Sequence, residues 1–204
     1  MTAKKTTIKE FIEWTNMRWN NAPDTQKPRI LLVGDSIVVG HGDQLFELIK
    51  DNACLDYLAT AKCVSDTDYM TELDYMLSRN NYRIILFNNG LHGWDVDDKI
   101  YAENLREVLT CLKTKTQFLV WRNSTPQRIV GNLEEFDVEN NPRVIKRNAE
   151  AEKIARALGI PTLDLYTPMA KNPGCFNADG VHYNDDGKKF QAEAIAAFFM
   201  PLLI

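Results

Sequence analysis

Serine, histidine and aspartate stand at two places in this chain where together they could make and break an acyl bond. Ser36 lies in Gly34-Asp35-Ser36, three residues beyond Val33, where the apolar run 29–33 ends. A serine at the carboxyl end of a buried strand can turn both its hydroxyl and its own N–H toward a cleft. That hydroxyl is a weak nucleophile until a base takes its proton, and His182 in Asp179-Gly180-Val181-His182 offers one. The carboxylate three residues earlier can hold the imidazole tautomer and stabilise the imidazolium. Taken alone, Asp179 reads equally as a turn residue before Gly180, and His182 as a surface histidine near a helix start. Their position before the last helical stretch puts them on the same sheet edge as Ser36.

Acyl transfer also needs donors for the oxygen that becomes charged. The stretch 87–94, FNNGLHGW, leaves an apolar run with three side-chain candidates, Asn88, Asn89 and His92. A neutral histidine has one N–H to donate, so His92 can serve uncharged. On that reading His92→Asn keeps more activity than His92→Ala.

These residues need a scaffold, and the patterning predicts one. Ile8, Phe11, Ile12, Thr15 and Trp19 fall at helical spacing, so an amphipathic N-terminal helix is expected, followed by a polar connector to residue 28. Strands are expected at 29–33, 55–59, 83–87, 117–121 and 161–165. Helical stretches are expected at 44–50 and 66–78, then on the face Tyr101, Leu105, Val108, Leu109 and Leu112, and one long helix is expected to carry Val144, Ile145, Asn148 and Ala155. The last helix is expected on Phe190, Ala194, Ala197 and Phe198. Strands alternating with helices mean βαβ crossovers, hence one α/β domain over 1–204, a three-layer sandwich on a mostly parallel sheet of about five strands. Ligands bind beyond the carboxyl ends of such strands. The long connection 123–141 reads as a lid or as a surface excursion.

Composition narrows the partners. A net charge of -4 argues against a nucleic-acid phosphate binder. The first residues hold no apolar leader and no window reads as a membrane span, which for the chain as given implies a cytoplasmic protein, or a secreted or periplasmic one if a leader was removed. Cys54, Cys63, Cys111 and Cys175 lack CxxC spacing and are expected as reduced thiols, and no histidine lies near Cys63 to make it a nucleophile. His41, His92 and His182 could converge on zinc, but without HxH or HxxxH spacing no metal is expected. Asp35 would repel a phosphate in a flavodoxin-like loop. The aspartates at 95, 97 and 98 read as helix capping, Trp121 as core, Arg147 as structural, and Arg122 and Arg143 as either structural or substrate-facing.

GDSIVVG at 34–40 and DGVHYN at 179–184 resemble the first and last blocks of the SGNH hydrolases, also called GDSL esterases and lipases. The resemblance runs from about Arg29 to the C-terminus and implies a flavodoxin-like SGNH fold with Ser36 as nucleophile and Asp179 and His182 completing a triad. It implies an oxyanion hole from the N–H of Ser36, a main-chain N–H of Lys62 or Cys63, and a third donor. The family has Gly-x-Asn-Asp where this chain reads Gly90-Leu91-His92-Gly93, so His92 takes the asparagine's position, or Asn89 does in a shifted alignment. Asp35, Asn88, Gly90 and Trp94 are expected at the substrate. NNGLH, Thr125-Pro126 and Arg147-Asn148 are similar to one subgroup. The activity implied is cofactor-free hydrolysis of small acyl esters, acetyl groups on carbohydrates first and lipid esters or thioesters next. An inactive carbohydrate-binding relative is the alternative, and the oligomeric state is left open.

Overall fold

The computed structural model describes residues 3–6 and 8–203. In chain order its strands and helices are β1 (Thr15–Trp19), β2 (Arg29–Gly34), α1 (Ser36–Ile49), β3 (Cys54–Thr60), α2 (Tyr69–Arg79), β4 (Tyr82–Phe87), α3 (Asp98–Lys113) and β5 (Thr116–Arg122). Then come β6 (Arg128–Ile129), β7 (Asn132–Phe136), α4 (Asn140–Ala157), β8 (Thr162–Leu163), α5 (Tyr166–Ala170) and α6 (Asp185–Phe199).

Residues 30–33 and 84–87 carry no polar side chain, so neither face of a strand built from them can meet water. They pair in parallel at the centre, Ile30 opposite Ile84 and Val33 opposite Phe87. Alternate side chains then feed two cores. Ile30, Leu32 and Leu86 pack with Leu45 of α1 and Ile195 of α6, whereas Leu31, Val33 and Phe87 pack with Leu73 of α2, Leu105 of α3 and Ile154 of α4. The result is the expected sandwich, with sheet order β1-β3-β2-β4-β5-β8. β3 flanks β2 on one side and β4 on the other, so the crossovers diverge at β2 and open a crevice beyond its carboxyl end.

Two expectations are corrected. The N-terminal amphipathic helix does not form: Thr15–Trp19 is an edge strand antiparallel to β3, Thr15 opposite Thr60 and Trp19 opposite Asp56, and adds a sixth strand. The supposed helix face has nothing to bury against, since Phe11 and Ile12 are exposed, while Met17 and Trp19, two apart as a strand requires, pack on the core. The fifth expected strand shrinks to Thr162–Leu163. The last helix forms where expected, as α6, and its buried stripe is Gln191, Ala192, Ile195, Ala196 and Phe199. Val144, Ile145, Asn148 and Ala155 lie on one long helix as expected, α4, in which Arg147 is buried with its charge met by carbonyl oxygens and aromatic faces.

Capping follows the expected chemistry at Asp97, whose carboxylate accepts from the N–H groups of Lys99 and Ile100 at the start of α3. All four cysteines are unpaired. Among the described residues no helix is long and apolar enough to cross a membrane.

Candidate active site

Ser36 is the first residue of α1, one residue after the Asp35 cap and two after the last residue of β2. The turn is tight because Gly34 is glycine: a Cβ there would lie 2.6 Å from Cγ2 of Val38. Asp35 closes the helix by accepting from Ile37 N–H at 3.0 Å. At this first helical position Ser36 N–H has no carbonyl one turn earlier to donate to, so it stays available for an anion.

His182 Nε2 lies 2.8 Å from Ser36 Oγ, and its Nδ1 lies 2.9 Å from Oδ2 of Asp179. The other oxygen of Asp179 accepts from the N–H groups of Val181 and His182 at 2.9 and 2.8 Å. Burial by itself would raise this carboxyl, but those N–H groups and the imidazole outweigh it and hold Asp179 below the usual carboxylate range. It therefore stays ionised well into acid.

The loop carrying both groups is braced from below. Gly180 has φ +72° and its carbonyl accepts from Arg128 N–H at 2.8 Å. The connection 123–141, expected as a lid or an excursion, is instead folded as the β6–β7 hairpin, and it is Arg128 of β6 that meets this loop. The Arg128 guanidinium lies between the rings of Phe136 and Phe176 and donates to the carbonyls of Leu133 and Ala170.

The oxyanion candidates separate by what already engages them. Asn89 donates to the carbonyl of Lys62 at 2.9 Å and accepts from Val64 N–H at 3.0 Å, so its amide clamps the loop after β3 rather than facing a substrate. Lys62 N–H is held by Oγ1 of Thr60 at 3.2 Å. Cys63 N–H, between those two anchored residues, has no acceptor among the described residues. The Cys63 thiol is buried, and burial pushes it up, away from the thiolate.

His92 is placed differently from expectation. Its Nδ1 lies 2.9 Å from Oε1 of Glu10, which also accepts from Gly93 N–H at 3.1 Å. A neutral His92 has its single N–H engaged there and none left for an oxyanion.

The four residues expected at the substrate are mostly structural. Asn88 is buried and donates to the Arg122 carbonyl at 2.8 Å and to Ser124 Oγ at 3.0 Å, tying β4 to the end of β5. Gly90 is glycine because a Cβ would fall 2.0 Å from Ser124 Oγ. Trp94 lies under the guanidinium groups of Arg143 and Arg147. Asp35 is the helix cap, and its negative charge opposes the lowering that burial imposes on the Arg122 guanidinium. Arg147 is structural as expected, donating to the carbonyls of His92 and Gly93 at 2.6 and 2.5 Å.

The three histidines do not converge. His41 is buried in α1, where desolvation and the charge of Arg122 hold it down to about 3, and among the described residues no three ligating side chains gather.

A cleft of about 440 Å³ opens at Ser36 and His182, walled by Trp14, Asn16, Ile37 and Val39 with Lys188 at its edge. Trp14 and Asn16 escaped sequence reasoning, because the helix expected there gave them no relation to Ser36.

No family model and no curated protein matches the sequence. Solved structures match its fold. One is an acetyl xylan esterase, 18% identical with a TM-score of 0.69, the match covering 84% of this chain and 100% of that one. Another is a protein of Slackia heliotrinireducens assigned to the SGNH hydrolases, 19% identical at TM-score 0.63, covering 84% and 98%. A third is a serine-to-alanine catalytic mutant of an acetylxylan esterase from Geobacillus stearothermophilus, 14% identical at TM-score 0.63, covering 86% and 94%.

Proposed function

We propose, starting from a chain that has the SGNH-hydrolase fold, that it is a serine ester hydrolase in which Ser36, His182 and Asp179 form the catalytic triad. The observation that carries this is the unbroken chain of contacts from Asp179 through His182 to Ser36 Oγ, at 2.9 and 2.8 Å, opening on a cleft.

His182 Nε2 takes the Ser36 proton as Oγ attacks the ester carbonyl carbon, and the carbonyl oxygen becomes an oxyanion held by the N–H groups of Ser36 and Cys63. Each such donor contributes roughly 10²–10³-fold in rate. The oxyanion collapses, the bond to the alcohol oxygen breaks, and His182 returns its proton to that oxygen. Water then loses a proton to His182, attacks the acyl-enzyme and releases the acid, and the proton goes back to Ser36. Asp179 stays ionised throughout and stabilises the imidazolium.

Acetyl esters of carbohydrates are the substrate class best supported. The cleft is small, Trp14 gives it a flat aromatic wall against which a sugar ring can lie, and two of the similar folds belong to acetyl xylan esterases.

Hydrolysis of p-nitrophenyl acetate and butyrate across pH 5 to about 9 tests the reading, with Ser36→Ala as control and a fluorophosphonate as label. The expected result is activity lost on labelling, the adduct on Ser36, and a rate that falls on the acid side as His182 is protonated. That acid limb should have the slope of one proton, because Asp179 is held below the usual carboxylate range. An unlabelled protein, or equal rates in Ser36→Ala, sinks the proposal.

The loop brace gives a further test. Gly180→Ala puts a Cβ 2.2 Å from the carbonyl oxygen of Arg128 and strains a positive φ. It is expected to destabilise by about 1–3 kcal/mol in thermal unfolding. A shift of His182 by even ~1 Å would lower kcat about 100-fold.

A further inference from the structure

An antiparallel strand on the edge of a parallel sheet starts where its neighbours end. β1 pairs with β3 so that Thr15 lies opposite Thr60, the last residue of β3, and the chain thus enters β1 at the carboxyl edge, where Ser36 also stands. Trp14 comes one residue earlier still, and its carbonyl accepts from Ala61 N–H at 3.0 Å. Residues 8–14, which form neither helix nor strand, run along that edge to reach β1.

Side chains alternate along a strand, so Trp14, Asn16 and Arg18 share one face. Met17 and Trp19, on the other face, pack with Leu73 of α2 and Leu105 of α3. The first face therefore looks toward α1. Arg18 is paired with Asp43 of α1, and Trp14 and Asn16 wall the cleft together with Ser36 and Val39.

Resting on the ester-hydrolase reading above, we propose that residues 8–16 are a binding strap that builds a subsite for the sugar ring of an acetylated oligosaccharide. The Trp14 indole lies under the ring, and the Asn16 amide meets its hydroxyls.

The order of groups along this face selects the ligand. Asn16 is exposed, and among the described residues its amide has no hydrogen-bond partner. An amide offers both donors and an acceptor, which is what a row of hydroxyls uses. Past Asn16 the face carries the Arg18–Asp43 pair. From the nucleophile outward the wall passes from indole to amide to ion pair. A sugar matches that order, because its apolar ring face is bordered by hydroxyl groups. An acyl chain laid along the same wall would cover the amide and the ion pair without bonding either, at a cost in desolvation.

The strap is clasped in place before any substrate arrives. Lys9 Nζ lies 2.7 Å from Oδ2 of Asp66, a carboxylate only 3% exposed, in the loop after β3. Glu10 accepts from Gly93 N–H at 3.1 Å and lies 2.9 Å from Nδ1 of His92, in the loop after β4. Thr6 N–H donates to the Ser65 carbonyl at 2.8 Å. Trp14 itself meets the His92 ring edge-on, with centroids 6.2 Å apart. A wall fixed in this way loses little freedom when a ring settles on it.

Hydrolysis of peracetylated xylobiose and of ethyl acetate by the same preparations tests the subsite. The readout is the ratio of kcat/KM for the sugar ester to kcat/KM for ethyl acetate, which has no ring to seat. In the wild type the sugar ester should be favoured. Asn16→Ala should lower the ratio about 3- to 10-fold, through KM, for the loss of one hydrogen bond. Trp14→Ala should lower it about tenfold, and Trp14→Phe should restore part of the loss. Glu10→Ala, which opens one clasp, should lower it by a smaller factor.

A ratio that stays at the wild-type value in Asn16→Ala overturns the proposal, and so does a Trp14→Ala variant that loses both rates equally, since the strap is then structural. Asn16 is exposed on an edge strand, so its variant reports even where Trp14→Ala does not fold. A wild type faster on tributyrin than on peracetylated xylobiose also overturns it, because the groove then takes acyl chains. Inertness toward all three esters would overturn the ester-hydrolase reading and the subsite with it, whereas hydrolysis of ethyl acetate with an unmoved ratio overturns the subsite alone.

Discussion

His182→Ala is expected to lower kcat for p-nitrophenyl acetate by roughly 10⁴–10⁶-fold, and Ser36→Ala by as much. The double variant should be no slower than either, because base and nucleophile act as one unit and the second loss removes nothing that still works. Folding should be little changed in His182→Ala, since that side chain is 46% exposed. Steady-state kinetics beside circular dichroism checks both points.

Asp179 sharpens this prediction. One of its oxygens is fixed by the N–H groups of Val181 and His182, and the other faces Nδ1 of His182. In Asp179→Asn the amide oxygen takes the fixed place, because only it can accept from those N–H groups. The amide NH₂ then faces Nδ1 and forces the proton onto Nε2, the nitrogen that must receive the serine proton. Asp179→Asn should therefore be at least as damaging as Asp179→Ala, a loss of about 10⁴-fold. A mild Asp179→Asn beside a severe Asp179→Ala would mean that charge rather than tautomer matters at this position.

The second large effect concerns stability. Arg29→Met is expected to destabilise the protein by about 3–5 kcal/mol in urea unfolding, because it leaves a buried carboxylate without its cation. Asp56, at the middle of β3, has no solvent exposure and lies 2.7 Å from Arg29, and it also accepts from Asn80 and Tyr82. Burial raises its carboxyl and Arg29 opposes that rise. Arg29 also donates to the carbonyls of Asn20, Asn21 and Asp24, so it anchors the connector that leads from β1 to β2.

The pH dependence of that loss has a definite sign. Without Arg29 the folded-state pKa of Asp56 rises further above its unfolded value, so the folded state binds the extra proton and gains stability as pH falls. The deficit of Arg29→Met relative to wild type should thus narrow toward acid. Arg29→Met/Asp56→Asn should recover part of the stability at neutral pH, since the amide keeps an acceptor without a charge. A deficit that does not change with pH would show that the lost connector contacts, not the stranded carboxylate, dominate.

Some of this molecule is determined by sequence alone. The runs 30–33 and 84–87 are apolar at every position, and only a strand covered on both faces accommodates them, so a parallel sheet with helices on both sides follows from local chemistry. Glycine, aspartate and serine at the end of the first such run, and DGVH before the last helix, fall on one edge by topology. That Ser36, Asp179 and His182 would gather in one place was therefore legible from position and side-chain chemistry.

Other features were decided by contacts across the fold. The spacing of Ile8, Phe11 and Ile12 suits a helix, yet a helix face needs a partner, and the free edge of β3 offered Thr15–Trp19 backbone pairing instead. Asn88 and Asn89 have the chemistry of oxyanion donors, but an amide works with whatever lies in reach, here Ser124 and the loop 62–64. Glu10 stands 82 residues from His92, and nothing local marks the two as partners. Hydrophobic periodicity and turn chemistry act between near neighbours in the chain and can be read there. Hydrogen-bond partners, charge pairs and cleft walls are set by distances in space, which only the packed structure brings into being.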